Sequence, residues 1–133
     1  MHYWLLKSEP NTWSWTDQKK VETTFWDGVR NYQANNHMKE MAKGDLAFFY
    51  HSGPEKAIVG IVKISKPYDP DPSDPRFGMV DVTYMQDFPH PIPLAQIKGE
   101  PALQHLSLIR QPRLSVMPID KEAWRLICAM GGL

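Results

Sequence analysis

The sequence predicts an α+β fold of sheet, loops and short α-helices, in one domain spanning residues 1–133. Three observations carry that expectation. A chain of 133 residues is of the usual size for one domain and long enough to bury a complete core. An apolar content of 42% with five Trp, five Tyr and five Phe demands a packed interior, while twelve Pro favour turns and strand edges over a helical bundle. Finally, the runs 45–50 and 57–64 are β-rich and separated by six residues, His51 to Lys56, a spacing that suits an antiparallel hairpin. Gly60, inside the second run, predicts a bulge of the kind that curls a sheet toward closure.

The elements follow in chain order. Tyr3-Trp4-Leu5-Leu6-Lys7 is aromatic and apolar and reads as a first strand, stopped by Ser8-Glu9-Pro10, where proline removes an N–H. Ser14 with Asp17 three residues later forms a capping box that opens a short helix to about Val21. Asn31 caps a second helix expected to run through Met38 and Met41 to Gly44. After the central hairpin, Pro67 to Pro75 reads as a stiff acidic loop that only connects. Val80, Val82 and Tyr84 alternate with Asp81 and Thr83 as a half-exposed strand does, and the prolines at 89, 91 and 93 mark a sheet edge. Leu94 to Leu106 predicts one or two helical turns, and Arg113 to Met117 a short strand stopped by Pro118. Asp120 caps a last helix whose Trp124, Ile127 and Cys128 form one apolar stripe.

Charge and cysteine content exclude several function classes. Fifteen basic and fifteen acidic residues cancel, so the broad positive field of a non-specific duplex binder is missing. The single Cys128 forms no internal disulfide, and no Cys or His pair has metal-ligand spacing; the expectation is a reducing, cytoplasmic compartment with neither metal nor cofactor. The apolar opening is cut by Lys7 and Glu9, too short for a signal core or a membrane span. Neither GxSxG, SxxK, GxGxxG nor a phosphate-cradling loop occurs, which leaves hydrolase and nucleotide chemistry without a motif.

The run Trp26-Asp27-Gly28-Val29-Arg30-Asn31-Tyr32-Gln33 carries the functional signal. An indole face stacks on a heterocycle, a glycine admits conformations that a Cβ forbids, and an asparagine both donates and accepts, as reading a base edge requires. The same residues also fit a core tryptophan beside a helix cap. Trp4, Trp13, Trp15, Trp26 and Tyr50 crowd the first fifty positions with Lys7 and Arg30 among them, the mixture of a stacking pocket, although Trp4 reads better as core. His51, after Tyr50 at the mouth of the central hairpin, is the one histidine placed to titrate or donate to a ligand.

Tyr3 to Pro10, Trp26 to Ala34, Gly44-Asp45-Leu46, Phe49-Tyr50-His51-Ser52, Ile58-Val59-Gly60 and Arg113-Leu114-Ser115-Val116 together resemble the EVE domain family over nearly the whole chain. The resemblance implies a PUA-like fold related to the YTH domains, a small mixed or antiparallel β-barrel flanked by short α-helices, and recognition of a modified base, a modified cytosine or a relative of it, in DNA or RNA. It implies a pocket framed by Lys7 and Ser8, by Trp26, Asp27, Gly28, Val29, Arg30 and Asn31, and by Tyr50, His51 and Ser52, closed by Arg113, Leu114 and Ser115. Asn35 stands where the family usually has arginine, which implies weaker attraction for phosphate. The expected partner is a nucleic acid with an unpaired or flipped-out modified base, bound by a monomer or weak homodimer without catalysis. Stacking supplies roughly 1–3 kcal/mol per base against a few kcal/mol for extrusion, so unpaired sites are favoured. The rival is an enzyme acting on a nucleoside or other small molecule, with His51 as acid and base and Ser8 or Ser115 as donor.

Overall fold

Apolar and aromatic runs that alternate with turn residues have to pair into a sheet, and the computed structural model, which describes residues 1–133, shows six strands doing so. They are β1 (Tyr3–Ser8), β2 (Thr23–Trp26), β3 (Leu46–His51), β4 (Ala57–Asp71), β5 (Asp74–Pro93) and β6 (Val116–Ile119), ordered β2-β5-β4-β3-β1-β6. Only β1 and β3 run parallel; every other neighbouring pair is antiparallel. The sheet is mixed as expected, but β2 and β6 stand at its opposite ends without pairing, so it does not close into a barrel.

Five short helices cover it: α1 (Trp15–Val21), α2 (Tyr32–Lys39), α3 (Leu94–Lys98), α4 (Ser107–Arg110) and α5 (Lys121–Met130), with a 3₁₀ turn at Pro101–Leu103. The capping signals are realised. Ser14 Oγ accepts from Asp17 N–H while the Asp17 carboxylate accepts from Ser14 N–H, and Asp120 accepts from Ala123 N–H at the start of α5. Trp124 and Ile127 are buried, and Cys128 packs half-buried beside them, where burial pushes its thiol up to about 11.

Three elements differ from the sequence reading. The second helix stops at Lys39 rather than near Gly44, because Met41 reaches the core from the turn that follows it. The proline-rich segment is no mere connector: it is the outer half of a long β4–β5 hairpin turning at Asp71 and Asp74, and its prolines sit where the register shifts. Strand β6 contains Pro118 instead of ending before it, which an edge strand tolerates because one side of its backbone needs no partner. The prolines after Phe88 do lie at an edge, since β2 pairs with β5 only at Val80 to Thr83.

The core is one cluster of 34 buried residues. Trp4 belongs to it, its indole N–H donating to the Asp45 carboxylate at 3.0 Å. Burial alone would raise the pKa of Asp45, but N–H donors from Ala42, Trp4 and His2 hold it below the ordinary carboxylate value. The folded pKa therefore lies beneath the unfolded one, and the stabilisation is full above about pH 4 and fades as pH falls through the folded value. Gly60 serves a contact as well as a bend. The register of β3 and β4 shifts opposite it, and a Cβ there would stand 2.1 Å from Trp15 Cζ2, so the indole of Trp15 lies directly against the glycine.

Gly60→Ala is expected to cost about 1–3 kcal/mol, as forced repacking does, read from the urea midpoint at unchanged m-value; a wild-type midpoint would show that the indole is not seated there. Asp45→Asn should lower stability at pH 7 and flatten the loss that the wild type shows on acidification below about pH 4, measured by urea titrations at successive pH values.

Candidate nucleic-acid interface

Strand β1 ends at Ser8 and the chain turns back through Trp13 into α1; strand β2 then leads through residues 27–31 into α2. Between these segments opens a cavity of about 700 Å³, within the range of ligand sites. Nine residues named from the sequence line it: Lys7, Ser8, Trp26, Asp27, Gly28, Val29, Arg30, Asn31 and Ser115. Trp13, one of the aromatic residues of the expected stacking mixture, lines it as well, and so do Glu9, Thr12, Thr24 and Phe25, which carry no such signal in the sequence.

Trp26 does double duty. It is 8% exposed, with its ring edge-on to Phe49 at 5.5 Å, and yet it adjoins the cavity. Phe25, its neighbour on β2, is 59% exposed and lines the same cavity. Trp13 is fixed by its indole N–H, which donates to Gln18 Oε1. Gly28 adopts φ +76°, the left-handed conformation anticipated for it, with open space where a Cβ would stand, so the requirement is conformational and not steric.

The polar groups divide into committed and free. Asn31 Oδ1 caps α2 by accepting from Ala34 N–H, so only its amide N–H₂ is left for a ligand, and the expected two-way reading by this residue is halved. The Ser8 hydroxyl donates to the Trp13 carbonyl and is not a free donor. Lys7 Nζ donates to the Pro112 carbonyl at 2.9 Å and lies 5.6 Å from the Tyr50 ring centre; burial holds its pKa below the ordinary lysine value. Arg30 pairs with Asp71 at 3.2 Å. Asp71 is in turn held below the usual carboxylate range by Ser73 hydroxyl and N–H donors and by Arg30, so the tip of the β4–β5 hairpin braces the loop 27–31. The side chains of Glu9, Thr12, Thr24, Asp27 and Ser115 have no hydrogen-bond partner within the chain and line the cavity.

Five residues framed from the sequence lie elsewhere. Tyr50 is buried in the core. His51 is buried too: its Nε2 accepts from Trp15 N–H at 2.9 Å, holding α1 to β3, and its Nδ1 faces Glu55 Oε1 of the β3–β4 turn at 2.9 Å, which fixes the Nδ1–H tautomer and engages both nitrogens. Ser52 is tied by its N–H to the Ser8 carbonyl. Arg113 and Leu114 line a separate, smaller cleft. Asn35, at the position of the family's arginine, is buried under α2 with Oδ1 accepting from Gly78 N–H, so it faces β5 and not the cavity. No group of three or more His, Cys, Asp or Glu side chains is arranged to hold a metal ion, and no helix is long and apolar enough to cross a membrane.

A mixed sheet with this cavity at its β1 end defines a PUA-like domain; the ASCH protein of Zymomonas mobilis, 14% identical, shares the fold with a TM-score of 0.60 over 97% of this chain and 95% of that one. More narrowly, the family model of the EVE domain matches residues 2–130, and the chain belongs to the EVE domain family. A crystal structure of a protein from Agrobacterium tumefaciens is 43% identical, with a TM-score of 0.97 over 100% of this chain and 94% of that one. Thymocyte nuclear protein 1 of Homo sapiens is 34% identical over 165 residues, 96% of this chain and 73% of that protein. The human THYN1 protein in complex with 5-methylcytosine containing DNA gives a TM-score of 0.91 at 32% identity, over 100% of this chain and 99% of that one.

Asp71→Asn should loosen the brace on Arg30 and speed amide hydrogen exchange at Gly28 to Asn31 while leaving exchange in β3 unchanged; equal protection in both proteins would show that the hairpin tip does not hold the loop.

Proposed function

We propose that this chain is a binding module for a modified base, 5-methylcytosine or one with the same hydrogen-bonding edge, taken unpaired or flipped out of a nucleic-acid strand. The observation that carries the reading is the cavity itself: three aromatic side chains, Trp13, Phe25 and Trp26, beside polar groups that the fold leaves unspent. The human relative solved with 5-methylcytosine containing DNA supports it.

The chemistry fits cytosine. That base presents one amine donor and two acceptors on its pairing edge, and a carboxylate is the usual acceptor for its amine. Asp27 takes the amine, the Asn31 N–H₂ donates to the ring edge, and the methyl group lies against Phe25, Trp26 and Val29. The binding unit is read as one copy of the chain, alone or in a weak homodimer. His51 is no acid–base candidate in this reading, because it lies outside the cavity with both ring nitrogens engaged. The single cysteine fits a reducing location such as the cytoplasm.

Trp26 is the wrong residue to truncate, since removing a core indole costs about 3–5 kcal/mol of stability and confounds any binding measurement. Asn31→Asp is cleaner: aspartate caps a helix as well as asparagine, so α2 survives, while the outward donor becomes an acceptor. It should weaken binding to a single-stranded 5-methylcytosine oligonucleotide by about tenfold or more, one lost hydrogen bond plus a new repulsion, at unchanged Tm. Phe25→Ala, at an exposed site, should weaken the same complex by about five- to tenfold, corresponding to a stacking contact of about 1 kcal/mol or slightly more. Calorimetric titration against unmodified cytosine, thymine and RNA controls checks both; wild-type affinity in the two variants, or no preference for the modified strand, overturns the reading.

A further inference from the structure

Beside the base cavity lies a second cleft of about 280 Å³, formed by Asn31 and Gln33 from the start of α2 and by Gln111, Pro112, Arg113 and Leu114 from the chain leading into β6. Asn31 lines both hollows, so the two share one wall. Three cations border them: Arg30 is paired with Asp71, and Lys7 is turned toward the Pro112 carbonyl by one of its N–H bonds. Arg113 is exposed and makes no ion pair or hydrogen bond within the chain, and the side-chain amides of Gln33 and Gln111 are equally free.

We infer that this cleft binds the phosphodiester joined to the captured nucleotide, with Arg113 as its cation and the two glutamine amides as neutral donors. The inference rests on the base-binding reading above. Its chemistry is that of a flat guanidinium fork presented to an anionic oxygen pair, flanked by amides that add hydrogen bonds without adding charge. Covalent continuity supplies the geometry: a base held in the cavity carries its own phosphates past the rim, and Asn31 marks where the two hollows meet. The neutral net charge of the chain makes one local cation matter, because no general positive field competes with it. The cleft thus separates two tasks, with the cavity selecting the base and Arg113 selecting a strand over a free nucleoside.

The test compares the wild type with Arg113→Gln, at an exposed position, against two probes: a single-stranded oligonucleotide of about ten nucleotides with one central 5-methylcytosine, and free 5-methyl-2′-deoxycytidine. Arg113→Gln should bind the oligonucleotide about tenfold more weakly and lower the slope of log affinity against log salt by about 0.7, the value for one phosphate contact on a single strand. Its affinity for the nucleoside should equal that of the wild type. Gln111→Ala should give a smaller loss on the oligonucleotide with no change in salt slope. Wild-type affinity and slope in Arg113→Gln overturn the inference, and so does an equal loss on both probes, which would place Arg113 in base recognition. A wild-type protein that binds the nucleoside as tightly as the oligonucleotide removes the cleft alone, whereas one that binds neither removes the base-binding reading and this inference together.

Discussion

The indole of Trp15 rests on bare backbone at Gly60, and the shape of the cavity descends from that contact. The ring can approach the sheet only because β4 has no side chain there, and once seated it is held from three directions: Phe49 and Tyr84 pack against its ring, Asp87 accepts its Nε1–H at 2.7 Å, and His51 accepts its backbone N–H. Trp15 is the first residue of α1, so this fixes the helix against the sheet and sets where the two segments that α1 joins begin. One carries Thr12 and Trp13 and the other becomes β2, and they form facing parts of the cavity lining. Lys19 on the same helix pairs with Asp87 at 3.0 Å, an exposed bond that adds little beside the buried packing.

The second organising fact is how polar groups are divided between fold and ligand. Asn31, Ser8, His51 and Arg30 have the chemistry of a recognition site, yet each is wholly or partly consumed by the structure: a helix cap, a turn, a helix anchor, a loop brace. Residues with less conspicuous side chains, Thr12, Thr24, Asp27 and Ser115, keep their capacity and line the hollow. A buried polar group left without a partner is costly, so a fold spends its strongest donors and acceptors on itself first. What is offered to a ligand is the remainder, beside aromatic surface.

Local signals were therefore the legible part of the sequence. The caps at Ser14, Asn31 and Asp120 and the positive φ of Gly28 depend on neighbours a few residues away and were read directly. Thr23-Thr24-Phe25-Trp26 is β-branched and aromatic throughout, a strand signal overlooked because the segment is so short and hugs a sheet edge. The open sheet, the long β4–β5 arms and the contribution of Glu9 and Thr12 escape a local reading for one cause: each depends on pairing or packing between residues far apart in the chain. The same holds for Arg113, expected to help close the pocket and found instead on a separate cleft. For His51, only coordinates could show that its nitrogens were occupied by Trp15 and Glu55.

Strand β2 is four residues long, ends the sheet, and pairs on one side only, with β5. Its mechanical character differs from that of β1 across the cavity, which is hydrogen-bonded to β3 on one flank and β6 on the other. Few bonds must break for β2 to shift, and such margins open at a small fraction of the global unfolding energy. The hollow accordingly has one rigid jaw and one compliant jaw, and Phe25 and Trp26 ride on the compliant one. Give in the width of the hollow is therefore concentrated on the β2 side, and the β1 side keeps its place.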